Sequence, residues 1–362
     1  MEVYLPIAEV QINVILLLFV SFVIGLLSGL FGVGGGFLMT PLLIFMGIPP
    51  IYAVANEANN ILASSSSGAL THWFKKTLDI KIGWFIVIGG LLGTFIGILT
   101  FSYFKGIGKI DIVIALSYMY VLAIIGSFML RDGLAELNIF KKKLIVKKKL
   151  HTHYWIHGLP FRMRFKTSKV YESALVPIVL GIIVGFISAI MGVGGAFLMV
   201  PAMIYLIGMP TKLVPGTSLF VTIFVTGFVT ISHAFTYHTI DLVLVLILIS
   251  GSIAGVHSGL KAGQRLDGPQ LKALLAILML LVGLLMAYET FFKNDKFTEA
   301  SLKLPTNKIA EISDFGNTIY NLSFQYPIVY GVSSIFIALS AGILVSYIRR
   351  QISKRINTPK AI

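Results

Sequence analysis

The sequence predicts an all-α polytopic membrane protein made of two inverted-topology repeats. Each repeat is a glycine-broken re-entrant hairpin followed by three transmembrane helices, and one extra helix stands at the C-terminal end. Three observations carry this. First, the 362 residues are 56% hydrophobic and 12% charged, with a mean hydropathy of +0.90. Apolar runs long enough to cross a bilayer recur, since about 20 helical residues cover about 30 Å of hydrocarbon. Second, Gly32 to Pro41 reads G-V-G-G-G-F-L-M-T-P and Gly192 to Pro201 reads G-V-G-G-A-F-L-M-V-P, identical at eight of ten positions 160 residues apart. That marks an internal duplication whose halves each carry one broken hairpin, the arrangement that places a substrate path at a repeat interface. Third, positive charge is unevenly distributed along the chain.

In chain order, hairpin 1 is expected at about 11–48, then helices at about 51–72, 82–104 and 111–131. The start, M-E-V-Y-L-P, lacks the basic stretch of a signal peptide, so the first apolar run, Val10 to Leu30, is expected to be retained. A basic linker follows. The second half repeats the order, with hairpin 2 at about 174–208 and helices at about 212–235, 241–260 and 270–292, before a polar stretch and a last helix near 326–348. The chain therefore divides into a first repeat (1–131), a basic cytoplasmic linker (132–172), a second repeat (173–292), an external loop (293–325) and an extra helix with a basic tail (326–362). The second arms, about Phe37 to Ile48 and Phe197 to Gly208, hold about 12 residues or ~18 Å of helix, too short to span. The glycine turns must then lie at membrane depth, where irregular backbone survives only when enclosed by protein or lining a watery cavity.

Cytoplasmic loops hold the excess of Lys and Arg. With both hairpins re-entrant, the loops at 73–81, 131–171, 209–212 and 261–272 and the tail from Arg349 share one side and carry 23 of the 29 positive residues. The expected orientation is N-terminus outside and C-terminus inside, so that the first repeat starts from outside and the second from inside.

Glycines in the turns permit unusual backbone angles and leave amide N–H groups unshielded at the start of the next helix, where the dipole favours an anion. Gly34, Gly35, Gly36, Gly194 and Gly195 are thus candidate substrate-binding positions; close helix packing is the alternative reading of the same glycines. The helix after hairpin 2 carries Thr217, Ser218, Thr222, Thr226, Thr230 and His233 as one polar stripe, and the helix after hairpin 1 carries Asn56, Asn60, Ser64, Ser67, Thr71 and His72. These hydroxyls and amides either solvate an oxyanion or bond back to their own and neighbouring helices. The expected contacts of a small anionic substrate are the turn amides with Asn56, Asn60, Ser64, Thr217, Ser218 and Thr222. Glu57, His72 and His233 are candidates for coupling to a proton; Glu57 reads equally as a shallow interfacial residue, and the histidines as helix-end caps. His72 and His233 hold equivalent places in the repeats, as do Asp79 and Asp241.

Other classes are disfavoured. No G-K-[ST] follows either turn, so nucleotide loops are absent. The segment K-K-K-L-I-V-K-K-K, Lys141 to Lys149, beside a membrane reads as a loop against anionic headgroups rather than a nucleic-acid site. No cysteine is present, His151, His153 and His157 lack ligand partners at metal spacing, and no cofactor or metal is expected.

The two glycine turns, P-G-T-S-L at Pro215 to Leu219, and the paired endings His72/Asp79 and His233/Asp241 resemble the TauE/SafE family, the sulfite exporter or toluene sulfonate uptake permeases, over about residues 11–131 and 173–292. The resemblance implies transport of a small sulfur-containing oxyanion such as sulfite, sulfoacetate or another organosulfonate across a bacterial inner membrane, with export the expected direction. Where such proteins often repeat G-T-S in the first half, this chain has Asn56-Glu57-Ala58, and the basic linker and ninth helix are additions. An anion channel of the same architecture shares these features. An intramembrane enzyme using Ser218 and His233 would need them in contact, whereas fifteen residues of helix separate them by ~22 Å.

Overall fold

The computed structural model describes residues 2–31, 36–136, 160–210, 212–263, 268–292 and 314–357. It opens with an antiparallel hairpin, β1 (Glu2–Leu5) and β2 (Val10–Asn13), then α1 (Val14–Phe31), α2 (Gly36–Phe45), α3 (Pro50–Phe74), α4 (Ile80–Gly106) and α5 (Ile110–Glu136). The same order follows as β3 (Arg162–Phe165), β4 (Val170–Ser173), α6 (Leu175–Met191), α7 (Ala196–Tyr205), α8 (Val214–Tyr237), α9 (Leu242–Gly263) and α10 (Gly268–Phe292). Helices α11 (Asp314–Gln325) and α12 (Pro327–Asn357) complete the described chain. Lys141 to Lys149, Gly34 and Gly35 lie outside the described residues.

Three features depart from the sequence reading. The stretch 132–172 holds the end of α5 and most of a β-hairpin, and a matching hairpin precedes α1. Four-residue strands carry too little alternation to stand out beside apolar helices. Part of the expected external loop is α11, and α12 runs on to Asn357.

Helices α4, α5, α8 and, through Ile348, α12 are long and apolar enough to cross a membrane. On α4, Ile88, Leu92, Phe95 and Leu99 form one outward stripe, each more than half exposed, a surface that lipid covers at no cost and water does not. Helix α3 is the reverse. Its residues from Ala53 to Ala69 are buried, Asn56, Glu57, Asn59 and Asn60 among them, so its polar groups meet protein and not hydrocarbon.

Packing crosses the halves. Helix α1 lies along α9 and α6 along α4, while α3 pairs with α8 and α5 with α10. The exchanged pairs are sealed by glycine. A β-carbon at Gly25, Gly255 or Gly259 would collide with the carbonyl of Ser252, Phe22 or Leu26, and one at Gly89, Gly93, Gly181 or Gly185 with that of Ile178, Ile182, Ile86 or Gly90. Backbones that close leave no room for any side chain, as small residues allow in bilayers.

Two matching carboxylate clamps tie these pairs to the hairpins. Asp79 caps α4: its Oδ1 accepts from Lys81 N and Ile82 N at 3.1 and 3.3 Å, and its Oδ2 from Ser168 N and Oγ in the β3–β4 turn at 3.0 and 2.8 Å. Asp241 caps α9 in the same way. Its Oδ1 accepts from Val243 N and Leu244 N at 3.0 and 3.3 Å, and its Oδ2 from Ile7 N and Ala8 N in the β1–β2 turn at 2.9 and 3.4 Å. Each aspartate also donates its own N–H across the molecule, Asp79 N to Thr217 Oγ1 at 3.0 Å and Asp241 N to Asn56 Oδ1 at 2.7 Å.

Candidate anion site at the glycine turns

The second glycine turn is built on left-handed backbone: φ is +70° at Gly192, +67° at Gly194 and +68° at Gly195, angles that residues with a β-carbon adopt only at a cost. Gly192 ends α6 with its N–H on Ser188 O at 2.8 Å, and Tyr118 of α5 holds the same end by donating to Met191 O at 2.6 Å. Gly195 opens α7, whose ten residues amount to ~15 Å, too short to span.

Both short helices begin at one place. Phe37 and Phe197, the second residue of α2 and of α7, meet as a tilted pair with ring centroids 5.7 Å apart. Ile61 of α3 lies between Gly36 and Gly194: its Cδ1 fills the space a β-carbon would need at Gly36, and its Cγ2 is 2.9 Å from the corresponding position at Gly194. On the other side of Gly194 stand the methyls of Thr222 and Thr226, at 2.8 to 2.9 Å from that position, and Thr222 Oγ1 donates to Gly194 O at 3.3 Å. Glu57 closes the side of Gly36, with Oε1 at 3.2 Å from the β-carbon position there.

Of the residues singled out from sequence, Gly36, Glu57, Gly194 and Thr222 meet around Ile61. Asn60 joins them through Glu57, donating Nδ2 to Oε2 at 3.1 Å while its Oδ1 accepts from Ser252 Oγ of α9 at 2.6 Å. Ser218 lies one turn before Thr222, fully buried, and its Oγ has no partner. Gly195 faces away, its β-carbon direction filled by Val184 of α6. Ser64 bonds back to Ile61 O at 3.1 Å.

Asn56 and Thr217 have other work. Asn56 donates to Tyr52 O and Thr239 O and accepts from Asp241 N; Thr217 donates to Leu213 O and accepts from Asp79 N. Both are saturated by the clamps, which leaves them nothing to offer an anion. The clamps also revise the alignment of the halves. Asn56 is the partner position of Thr217, which pairs Glu57 with Ser218, one residue away from the match of Asn56-Glu57-Ala58 to G-T-S.

The histidines are dissimilar despite matching positions. His72 sits half-buried at the end of α3 with Nδ1 2.8 Å from Thr77 Oγ1, a local contact in the α3–α4 turn. His233 is fully buried edge-on to Phe101, ring centroids 4.8 Å apart, with Nε2 3.4 Å from Ala189 O and Nδ1 unpartnered. Glu57, 1% exposed, is no shallow interfacial residue. Sequence reasoning passed over Ile61, because an apolar side chain carries no chemical signal, and over Asn59 and Ser65, buried polar residues of α3 without partners. Among the described residues the buried polar set contains no Lys or Arg, so an anion here meets only neutral donors.

Comparison with known proteins identifies the family. The profile described as Sulfite exporter TauE/SafE matches residues 17–286. The chain is 28% identical over 267 residues to the probable membrane transporter protein YjnA of Bacillus subtilis, covering 72% of this chain and 94% of that one. It is 25% identical over 286 residues to the probable membrane transporter protein YunE of the same species, covering 77% and 98%. A 52-residue stretch, 14% of this chain and 12% of the other, is 42% identical to Sulfite exporter TauE/SafE family protein 5 of Arabidopsis thaliana. No solved structure matches. With a profile match over most of its length, seated on the helices that carry both glycine turns, the chain belongs to the sulfite exporter TauE/SafE family of membrane transporters.

Proposed function

We propose that this transporter is a secondary carrier exporting a small sulfur-containing oxyanion, sulfite or an organosulfonate such as sulfoacetate, across the cell membrane. The observation that carries the proposal is the meeting of the two short helices, each begun by a glycine turn, beside Ile61. Helix starts present free N–H groups, and two of them facing one volume favour a single negative group. The unpartnered Ser218 Oγ adds a neutral donor, and the absence of buried Lys or Arg among the described residues keeps binding weak enough for release.

An inverted pair of repeats suits this role, and the clamps support it. The β1–β2 turn and the start of α3 meet at Asp241, which follows the end of α8; the β3–β4 turn and the start of α8 meet at Asp79, which follows the end of α3. That arrangement, with α3 and α8 running in opposite senses, supports the reading of both hairpins as re-entrant. The reading includes an outside N-terminus and an inside C-terminus. Single cysteines at Lys147 and Lys354 are expected to stay unlabelled by an impermeant thiol reagent in intact cells, and one at Lys303 to react. Labelling at Lys147 from outside reverses the orientation.

The direct test is a panel of labelled sulfite, sulfoacetate, taurine, thiosulfate and sulfate in proteoliposomes. Saturable uptake and anion-for-anion counterflow of sulfite or sulfoacetate are expected. Unsaturable flux without counterflow identifies a channel, and transport of none of the five rejects the substrate class. Within the working protein, Ser218→Ala is expected to raise KM or lower the rate by about 5- to 100-fold, the equivalent of about 1–3 kcal/mol for a charge-assisted bond. Unchanged kinetics in that variant remove the Ser218 hydroxyl from the site.

A further inference from the structure

We infer that Glu57 is the resident anion of the start of α2 and that each transported anion enters and leaves together with one proton held on that carboxylate. The inference rests on the anion site proposed above. Glu57 lies against Gly36, the first residue of α2, and is 1% exposed. Its orientation is imposed from a distance: Ser252 of α9 donates to Asn60 Oδ1, which turns the Asn60 amide so that Nδ2 donates to Glu57 Oε2. An aspartate or glutamate at a helix start is a favourable substitute for a bound anion. The paired position in the other half is Ser218, so only one of the two turns carries its own negative group.

Elements around this carboxylate offer little else that ionises. Tyr118 of α5 is in electrostatic range, α2 presents Gly36, and α9 acts through Ser252. Within α3 the nearest polar partner is Asn60. Helix α8 approaches Gly194 through Thr222 and Thr226, with His233 engaged at Phe101 and Ala189. The buried polar residues of α12, Ser334 and Ser346, are uncharged.

An ionised Glu57 and a substrate anion within a few ångströms repel strongly in a low-dielectric interior. A proton on Glu57 removes that repulsion and converts the carboxyl into an O–H donor for the substrate. Proton and anion therefore bind with positive cooperativity, and linkage makes the effect reciprocal. The forms that cross are Glu57–OH with the anion and Glu57 carboxylate without it, which is symport. On release the proton returns to water on the arrival side and the carboxylate takes back the start of α2. Efflux then runs down the substrate gradient and halts where the inward proton gradient balances it.

The experiment uses the full-length protein in proteoliposomes with labelled sulfoacetate or, where that is the poorer substrate, sulfite. With membrane potential clamped, an acid exterior is expected to accumulate a monoanion about tenfold per unit of pH gradient, the ratio for one proton per anion. A trapped pH dye is expected to report proton entry with the anion. Glu57→Gln, neutral at all pH values, is expected to retain counterflow at a reduced rate while its accumulation ratio falls to one. Should Glu57→Gln fold poorly, the exchange Glu57→Ser with Ser218→Glu is expected to restore pH-driven accumulation by moving the carboxylate to the opposite turn. Wild-type transport indifferent to the pH gradient, or wild-type accumulation in Glu57→Gln, overturns the inference and leaves the proposed substrate class standing. Absence of transport of both anions by the wild type rejects that class itself.

Discussion

Gly194→Leu is expected to lower transport by about 100-fold or more while leaving a folded, membrane-inserted protein, since misplacement of a binding group by about 1 Å suffices for a loss of that order. The residue has φ +67°, and a β-carbon there would stand 2.8 to 2.9 Å from carbons of Thr226, Ile61 and Thr222. Leucine thus brings a left-handed backbone penalty of about 1–2 kcal/mol and an overpacking penalty of about 1–3 kcal/mol. A control separates the two. Gly208 has φ +69° with nothing within 4 Å of its β-carbon position, so Gly208→Leu carries the backbone cost without the crowding. Detergent-solubilised variants are compared by thermal unfolding, and proteoliposomes by counterflow. Equal transport losses in both variants would mean that strain, and not occupation of the space between the turns, limits the cycle.

The largest loss of stability is expected from Asp241→Ala, followed closely by Asp79→Ala. Each aspartate accepts four hydrogen bonds, two capping a helix and two holding a β-hairpin turn from the other half. A buried donor left unpaired costs about 1–3 kcal/mol, so one substitution removes several kcal/mol and lowers the thermal midpoint by many degrees. Asn is expected to fare little better than Ala, because its NH2 group would face N–H donors. The clamps stand at different ends of α3, so the double variant is expected to lose the sum of the two single losses within about 0.5 kcal/mol. A midpoint unchanged in either single variant would show that the hairpins are held by their apolar residues, such as Leu5 and Phe165, and not by the carboxylates.

Membrane class, helix order, duplication and the two broken hairpins were legible along the chain because each is a local property. Hydropathy over a window, the shortness of α2 and α7 and the repeated glycine decapeptide need no knowledge of neighbours. The same holds for the polar stripes, which a helical period of 3.6 places on one face. What such a reading cannot supply is the partner across the interface. Asn56 and Thr217 look like ligands for an anion in isolation, and only folding brings Asp241 and Asp79 to saturate them. Ser218, on the same stripe as Thr217, is left without a partner.

The exchange of helix pairs has the same origin. Gly89, Gly93, Gly251 and Gly255 mark faces able to close on another backbone, but any small-residue face can do so, and the choice of α6 for α4 and of α9 for α1 depends on shape met across the fold. Glu57 shows the division most clearly. Its carboxylate in an apolar chain announces a functional candidate by its solvation cost alone. Its place against Gly36, the Ser252–Asn60 relay that aims it and its pairing with Ser218 are set by contacts between segments more than 20 residues apart, in one case 192, where packing and not sequence proximity decides which groups share a dielectric interior.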